Sequence, residues 1–538
     1  MERTIFAAVL MAAALFGLRP AAAAPADNPM PVGVDEAGGA KWIYDDPLAS
    51  EAFERMGCQF VMKHFWGEPS IDDVDRLDRW AAPHGYGWLI NQEVATAAHQ
   101  PGDPAVYRRP GGFFQPPRAF VERCAASPRF LGFCYDECEH WICNGAGVTA
   151  GGKFQPHFFD AEGQSLDEAY EGNLFNLQTL MARVYPGFAA AAHQHGGRPV
   201  VGTENVFPIL QHLFARAGLV QFPKLLKETV TPVTLAMSMG AAKQYGVQNW
   251  TSIDLWWHGQ YPGHNPEELR SALLIAYWTA SERTYIENLT MHGSLWAPKD
   301  GHAELSALGE VTRQFVREYL PAHPRPIHFE DFAPEVIIVR FPDSDWGQEH
   351  PGPWIRRNLY GASNLVPDDD TRYWLKIWHV LSHDTIPLAA LNYNTPLGIP
   401  YRVFFPANNV AVYDHRAADP KLYAAARLVF LTGKEVDPAC LATLQTLVAK
   451  GLTVVTRRKL APPELAAVGA SGYEVHPVGA GRWIVTDDVM LPAVRALLAP
   501  YLGRPDELRY VFGADEVVFT ASEDGQRLDV RVGAVAKG

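Results

Sequence analysis

The sequence predicts an α/β protein: a (β/α)₈ barrel, then a small doubly wound α/β domain and a short β-rich C-terminal segment. Three observations favour this fold class. Between residues 31 and 320, short β-type runs alternate with helical stretches, as in βα units that build a parallel sheet. Eight such runs fit into this length, which is the number that the barrel requires. A further strand–helix–strand unit follows after residue 425.

The eight predicted strands are apolar runs, most of them ending in polar or acidic residues. They are 31–35, 58–66, 86–93, 130–137, 199–205, 219–228, 248–257 and 283–289. Helical spacing separates them, for example over 71–82, where Val74, Leu77 and Trp80 recur on one side. A last amphipathic helix is predicted over 303–320. The barrel should therefore span residues 30–322.

Residues 333–470 are predicted to form the doubly wound domain, after a Pro- and His-rich linker. Apolar strands at 335–341 and 425–432 are followed by a helix at 439–450 and a strand at 451–456. The first strand carries no glycine-rich phosphate loop, so nucleotide binding is not predicted. From 472 to 538, apolar and polar residues alternate between short turns, which predicts a small β-rich segment.

Charge and the N-terminus indicate where the protein acts. The formal net charge of −14 argues against nucleic acid as a partner, because phosphate binding needs a basic surface. Residues 1–24 read as a secretory signal peptide, with Arg3, an apolar run over 5–18 and alanines at 21–24. We therefore expect a secreted or periplasmic protein without a membrane span once the signal is removed. A retained N-terminal anchor is the alternative.

The six cysteines are compatible with an oxidising compartment. Three lie within residues 134–143, and their spacing matches neither common zinc pattern. A disulfide between Cys138 and Cys143 is therefore favoured over a metal site. The other three, at positions 58, 124 and 440, are expected to be buried as small apolar residues. No metal ion or cofactor is predicted.

Acidic residues stand at the ends of most predicted strands. In this barrel the C-terminal ends of the strands form the active face. Carboxylates that converge there repel one another unless some are protonated or bind a cation or substrate, so the rim suits acid/base chemistry. Hydrolysis of a glycosidic bond needs two such carboxyl groups. The residues are Asp35, Glu36, Glu93, Asp136, Glu137, Glu204, Glu228, Asp254 and Glu287.

The run Arg-Phe-Leu-Gly-Phe-Cys-Tyr-Asp-Glu at 129–137 resembles strand four of clan A glycoside hydrolases, where the acid/base Glu closes the strand. The resemblance implies that Glu137 is the catalytic acid. Clan A enzymes usually have Asn before this Glu, whereas this chain has Asp136. An Asp-Glu pair here also resembles family 20 N-acetylhexosaminidases, in which the Asp orients a substrate amide that acts as nucleophile.

The second carboxylate is expected on strand seven or eight. In clan A the nucleophile is a Glu closing strand seven, but here the only acid at that place is Asp254. Strand eight offers Glu287, which we favour, with Asp254 behind it. In an alternative register with one strand fewer, Glu204 moves onto strand four and Glu287 onto strand seven, and these two form the clan A pair. Both registers place Glu287 at the rim.

Aromatic and polar side chains near these strand ends are expected to bind sugar, because rings stack on sugar faces and imidazoles bond to hydroxyls. They are Trp66, His64, Glu93, Trp141, Trp256, Trp257, His258 and Tyr261.

The domain order is similar to that of family 42 β-galactosidases. The strand at 335–341, Gly398-Ile399-Pro400 and the βαβ unit at 428–456 resemble the flavodoxin-like domain that follows the barrel in that family. There it mediates trimerisation, which implies a homo-oligomer formed through the second domain.

The expected function is a secreted glycoside hydrolase that cleaves an oligo- or polysaccharide with two carboxylates. Two alternatives stay open. One is a non-catalytic barrel that binds glycans or acts as a scaffold. The other is a metal-dependent hydrolase or lyase with acids and His64 or His140 as ligands.

Overall fold

The computed structural model describes the chain in separate stretches. They are residues 28–36, 41–64, 70–91, 118–136, 188–206, 210–226, 231–255, 264–287, 289, 294–341, 369–386, 388, 404–466, 471–525 and 527–536. The predicted signal peptide and the cysteines at 138 and 143 lie outside these residues. Cys58, Cys124 and Cys440 are buried, as expected. No helix in the described stretches is long and apolar enough to cross a membrane.

The predicted barrel is confirmed as a closed ring of eight parallel strands in sequence order. Its last strand closes the ring against its first, with Thr284 opposite Val32. The strands are β1 (Val32–Asp35), β2 (Phe60–His64), β3 (Gly87–Asn91), β4 (Phe130–Tyr135), β5 (Val200–Asn205), β6 (Val220–Leu225), β7 (Thr251–Ile253) and β8 (Thr284–Ile286). The alternative register with one strand fewer is therefore wrong, because Glu204 lies on β5 and Glu287 follows β8.

Seven helices accompany these strands in the described stretches. They are α1 (Pro47–Met56), α2 (Ile71–Ala81), α3 (Arg118–Ala125), α4 (Phe188–Ala191), α5 (Gln211–Arg216), α6 (Thr231–Tyr245) and α7 (Pro266–Trp278). Local sequence fixes several of their ends. The Asp46 side chain accepts hydrogen bonds from two amides at the start of α1, and Gly57 ends that helix at φ 83°. Asn265 and Glu268 form a capping box at the start of α7.

A hairpin precedes the last helical segment of the barrel. Its strands are β9 (Trp296–Lys299) and β10 (His302–Leu305), followed by α8 (Ala307–Gln314), a π-helical turn (Phe315–Tyr319) and α9 (Leu320–Ala322). The helix predicted over 303–320 is therefore wrong at its start. Residues 303–305 pair with residues 296–298, and the Ser306 side chain caps the helix by accepting from the Gly309 amide.

Large side chains fill the barrel interior. The rings of Phe222 and Trp250 stack with centroids 4.8 Å apart, and Tyr285 packs edge-on against Phe222. A Cβ on Gly33 would lie 2.5 Å from the Phe60 ring, and one on Gly202 would lie 2.3 Å from the Phe222 ring. Glycine at these two positions makes room for the rings. The interior is therefore a packed core that supports the rim from below.

The C-terminal part contains ten strands and three helices in the described stretches. The strands are β11 (Val336–Arg340), β12 (Ala407–Asn408), β13 (Val410–Asp414), β14 (Leu428–Thr432), β15 (Thr453–Thr456), β16 (Tyr473–Val478), β17 (Gly481–Thr486), β18 (Glu507–Phe512), β19 (Asp515–Ala521) and β20 (Leu528–Ala534). The helices are α10 (Asp369–Leu381), α11 (Pro438–Ala449) and α12 (Pro492–Leu498). Together they form two further sheets.

The larger sheet has the order β13-β11-β14-β15-β17-β16, with β16 antiparallel at one edge. In chain order its five parallel strands run 2-1-3-4-5, as in one class of doubly wound sheets. The smaller sheet has the order β12-β18-β19-β20. The boundary expected at residues 470–472 is wrong, because Arg482–Val485 of β17 pair with β15 in the larger sheet. Alternating polarity identifies a strand, but it does not identify the strand's partner.

Helix α6 joins the barrel to the larger sheet. Its residues from Thr231 to Ala242 are all buried, which is expected for a helix covered on every side. Val233, Ala236 and Met237 share an apolar cluster with Ile338 and the α10 tryptophans Trp374 and Trp378. The two parts of the chain therefore share a core.

We expect Gly240→Ala in α6 to destabilise the protein, although alanine normally favours a helix over glycine. A Cβ at this position would lie 1.8 Å from the Val412 carbonyl oxygen of β13, so helix and sheet would have to separate. The expected loss is about 1–3 kcal/mol of unfolding free energy, measured by urea denaturation. Gly533→Ala is the control, because among the described residues no atom lies within 4 Å of a Cβ placed on Gly533. Equal stability of the two variants would contradict the packing described here.

Candidate active site

Each barrel strand places one polar side chain at or just beyond its C-terminal end, and these groups are buried. In strand order they are Asp35, His64, Asn91, Asp136, Glu204, Lys224, Asp254 and Glu287. Backbone pairing continues past the strand ends and holds the last two acids. The Asp254 amide donates to the Leu225 carbonyl (3.0 Å), and the Glu287 amide donates to the Ile253 carbonyl (2.9 Å). Carboxylate oxygens of Asp35, Glu204 and Glu287 all lie within 4.8 Å of one another.

Lys224 lies among these carboxylates. Its Nζ is 2.6 Å from Glu287 Oε1, 2.9 Å from Glu204 Oε2 and 3.9 Å from Asp254 Oδ2. The lysine side chain is 3% exposed. Buried acids at this spacing repel one another, and a buried ammonium needs carboxylate partners. The cation that stabilises this cluster is therefore a side chain of the protein itself.

Glu204 is the most enclosed of the acids, with a side chain 1% exposed. It is hydrogen-bonded to Asp136, and its Oε1 accepts from the Tyr285 hydroxyl. Burial raises the pKa of Glu204 well above its usual 4.5, and the nearby Asp136 and Asp35 raise it further, against a lowering by Lys224. These surroundings favour the protonated form of Glu204, the form in which a carboxyl group can donate a proton.

Glu287 has the opposite surroundings. Its Oε1 receives hydrogen bonds from the Lys224 ammonium and from the Ser252 hydroxyl, the latter at 3.0 Å. Both donors favour the charged form of a carboxylate. Its side chain is 9% exposed, more open than that of Glu204. The surroundings of the two residues therefore differ: those of Glu204 favour the neutral carboxyl, and the donors to Glu287 favour the carboxylate.

Asp35 also belongs to a second group, formed at the ends of the first three strands. Its Oδ2 is 2.7 Å from His64 Nε2, and that nitrogen is 2.9 Å from Asn91 Nδ2. The three residues close β1, β2 and β3 in turn. The sequence prediction gave His64 a role in sugar binding; the structure places its ring against Asp35, where it holds the carboxylate in position.

The structure brings together five of the predicted site residues: Glu204, Glu287, Asp254, Asp136 and His64. The others lie outside the described residues. They are Glu137, Trp66, Glu93, Trp141, Trp256, Trp257, His258 and Tyr261.

Lys224 and Tyr285 were missed as site residues. A signal for both is present in the sequence. Residues 220, 222 and 224 alternate onto the same face of β6, so a lysine follows Val and Phe at an inward position. An inward lysine in a buried strand requires acidic partners. Tyr285 precedes Glu287 by two residues on the inward face of β8.

No protein-family model matches this chain, and no curated protein matches it in sequence. Solved structures do match it. The GH42 β-galactosidase Gan42B from G. stearothermophilus, solved as a catalytic mutant, has a TM-score of 0.50 at 9% identity, over 92% of this chain and 93% of that chain. The exo-β-1,4-mannosidase Op5Man5 from Opitutaceae bacterium strain TAV5 has a TM-score of 0.49 at 12% identity, over 90% of this chain and 100% of that chain.

The likeness is one of fold. The match to the GH42 structure covers nearly the full length of both chains, so it includes the barrel and the sheets that follow it. The predicted similarity in domain order to family 42 β-galactosidases is confirmed at this level.

Proposed function

We propose that this protein is a glycoside hydrolase in which Glu204 is the acid/base and Glu287 is the nucleophile. The observation that carries the proposal is the pair itself. Both carboxyls contact one buried ammonium at the active face of the barrel. The surroundings of Glu204 favour its neutral form, and the donors to Glu287 favour its charged form. Two carboxyl groups with separated pKa values are what cleavage of a glycosidic bond requires.

In the first step the neutral Glu204 donates its proton to the glycosidic oxygen while a Glu287 oxygen attacks the anomeric carbon. The bond between that carbon and the leaving oxygen breaks, and a glycosyl ester forms on Glu287. In the second step Glu204, now a carboxylate, removes a proton from water as the water attacks the same carbon. The ester is cleaved, and both residues return to their starting forms.

The spacing of the carboxyls supports retention of configuration. Oxygens of Glu204 and Glu287 lie within 4.8 Å of each other, and both contact the same Lys224 nitrogen. Retaining glycosidases hold the two groups about 5–5.5 Å apart, whereas inverting enzymes leave about 6.5–9.5 Å for a water. The close pair supports direct attack by Glu287.

The setting of the site supports a carbohydrate substrate. One structurally similar protein is a GH42 β-galactosidase, and the site lies at the end of the barrel where enzymes of this fold act. We also propose that residues 1–24 direct export. We further propose that the second domain is flavodoxin-like and mediates homo-oligomer formation. The 2-1-3-4-5 strand order supports its flavodoxin-like nature.

The metal-dependent alternative finds no support at this rim. The place that a cation would take between Glu204 and Glu287 holds the Lys224 ammonium.

The proposal is tested by incubating the mature protein with a broad panel of oligo- and polysaccharides and analysing the products by mass spectrometry. The wild type should release shorter sugars, and Glu204→Gln should lose turnover of substrates with poor leaving groups. Glu523→Gln, at an exposed turn, is the matched control and should behave as the wild type. Binding of a glycan without any cleavage across the panel would favour the non-catalytic alternative and overturn the proposal.

The rate should fall on the alkaline side as Glu204 loses its proton. Asp136→Asn should move this alkaline limb to lower pH. The reason is that the Asp136 charge and its hydrogen bond raise the pKa of Glu204, so removing the charge lowers that pKa. The measurement is kcat/KM against pH, with the exposed Asp529→Asn as control. A limb that stays in place or moves to higher pH would argue against Glu204 as the acid.

A further inference from the structure

A second cluster of ligating side chains lies at the opposite end of the barrel, at the N-terminal ends of the strands. His195 stands before β5, Glu282 stands before β8, and Glu330 belongs to the linker that leads to the second domain. One ligand atom from each of the three residues lies within 4.8 Å of the other two. No residue of the proposed active site takes part in this cluster.

The cluster borders a cavity of about 230 Å³ with a second imidazole on its wall. His193 and His195 form a His-x-His pair along the chain. His193 Nδ1 donates to the Gly246 carbonyl at 2.7 Å, which leaves Nε2 as the nitrogen with a lone pair. Histidines that bind metals are typically held in this way by a backbone carbonyl. The His328 ring packs edge-on against His195, with centroids 5.5 Å apart.

Glu282 provides the buried part of the cluster. Its side chain is 4% exposed, while the His195 side chain is 39% exposed. One Glu282 oxygen contacts His195 Nδ1, and the other accepts from the Gly196 amide at 3.1 Å. A buried carboxylate that faces a partly open imidazole and a second carboxylate presents negative charge toward a cavity. Arg283 lies near Glu282 and Lys243 near Glu330, and a cation in the cavity would add to their neutralisation of that charge.

We propose that His195, Glu282 and Glu330 bind a divalent transition-metal ion, with Zn²⁺ preferred. An imidazole ligand selects Zn²⁺ over Mg²⁺ and Ca²⁺, which prefer oxygen alone. Zinc bonds to nitrogen and carboxylate oxygen are about 2.0–2.2 Å long, and the candidate ligand atoms lie within 4.8 Å of one another. In the rim cluster of Asp35, Glu204 and Glu287, the Lys224 ammonium contacts two of the carboxylates directly.

The ion would connect the linker to the N-terminal end of the barrel. His195 and Glu282 belong to the barrel, whereas Glu330 lies in the short helical turn Phe329–Asp331 just before the second domain. The N-terminal face of such a barrel serves stability rather than catalysis. The site is therefore structural, and its occupancy should raise the unfolding temperature.

The test uses the untagged full-length protein, stripped of metals and titrated with Zn²⁺ and separately with Ca²⁺. We expect one Zn²⁺ per chain, a rise in Tm and weak or no Ca²⁺ binding. His195→Ala and Glu330→Gln should each weaken Zn²⁺ binding by at least about tenfold and remove the rise in Tm. Both residues are exposed, so the variants should fold. His84→Ala, at an exposed histidine beside Glu54, is the control and should bind as the wild type.

Glu287→Gln separates this site from the proposed active site. It should bind Zn²⁺ as tightly as the wild type, whether or not the glycosidase proposal holds. Loss of Zn²⁺ binding in Glu287→Gln would place the ion at the rim and overturn the inference. Absence of stoichiometric binding, unchanged binding in His195→Ala, or a preference for Ca²⁺ would also overturn it.

Discussion

Replacing Glu287 with glutamine is expected to lower kcat by on the order of 10³-fold or more. An amide does not attack the anomeric carbon, so the glycosyl ester cannot form. Its Oε1 still accepts from Lys224 and Ser252, and therefore the rim should keep its geometry. The measurement is steady-state turnover of a substrate found in the panel, with circular dichroism to show that the variant is folded.

The exposed Glu523→Gln serves again as control. Asp254→Asn gives a second comparison at the same rim. Asp254 Oδ2 is 3.9 Å from the Lys224 ammonium, against 2.6 Å for Glu287 Oε1, so its substitution should cost less activity than that of Glu287. If Asp254→Asn is the more damaging of the two, the nucleophile is on β7 and Glu287 is wrongly assigned.

Replacing Lys224 with methionine is expected to have the largest effect on stability. Methionine has a similar length, but it leaves Glu204, Glu287 and Asp254 without their shared cation. Removing one partner of a buried ion pair typically costs about 3–5 kcal/mol, because the remaining charge stays buried. Unfolding in urea at neutral pH measures the loss. Turnover should fall as well, because the charged form of Glu287 loses its strongest donor.

A double variant shows whether the loss arises from the carboxylates. Adding Glu287→Gln to Lys224→Met removes one of the uncompensated charges, so the double variant should be more stable than Lys224→Met alone. Lys376→Met is the matched control. Its partly exposed ion pair with Asp488 should contribute no more than about 1 kcal/mol. Wild-type stability in Lys224→Met would contradict a charged lysine at the centre of the rim.

The barrel could be predicted from the sequence because its periodicities are local. Alternating runs and helical spacing identify each βα unit, and eight units in a row determine closure. The acids at the rim were predicted by the same reasoning, since Glu204 lies in the last two residues of β5 and Glu287 directly follows β8. The cap at Ser306, by contrast, lies inside a helix predicted from residue 303. The pairing of 303–305 with 296–298 decided the boundary, and that pairing is not local.

The contacts between distant residues could not be predicted. Glu204 and Lys224 are neighbours on adjacent strands, but their contact with Glu287 depends on closure of the ring. The pKa of Glu204 depends on burial and on Asp136, neither of which a strand pattern reveals. The sheet to which the β16–β17 hairpin belongs could not be predicted either. Alternation of apolar and polar residues does not show that β17 pairs with Thr453–Thr456. The sequence therefore predicted which acidic residues lie at the rim, but it did not predict which of them are charged.

The stereochemistry of hydrolysis tests the assignment of Glu204 and Glu287 most directly. Proton NMR of a reaction in progress shows the anomeric configuration of the first sugar released, before it mutarotates. The close carboxyl pair predicts retention, because two successive displacements at the anomeric carbon restore the original configuration. Release of the inverted anomer would show that water attacks directly, and it would contradict Glu287 as the nucleophile.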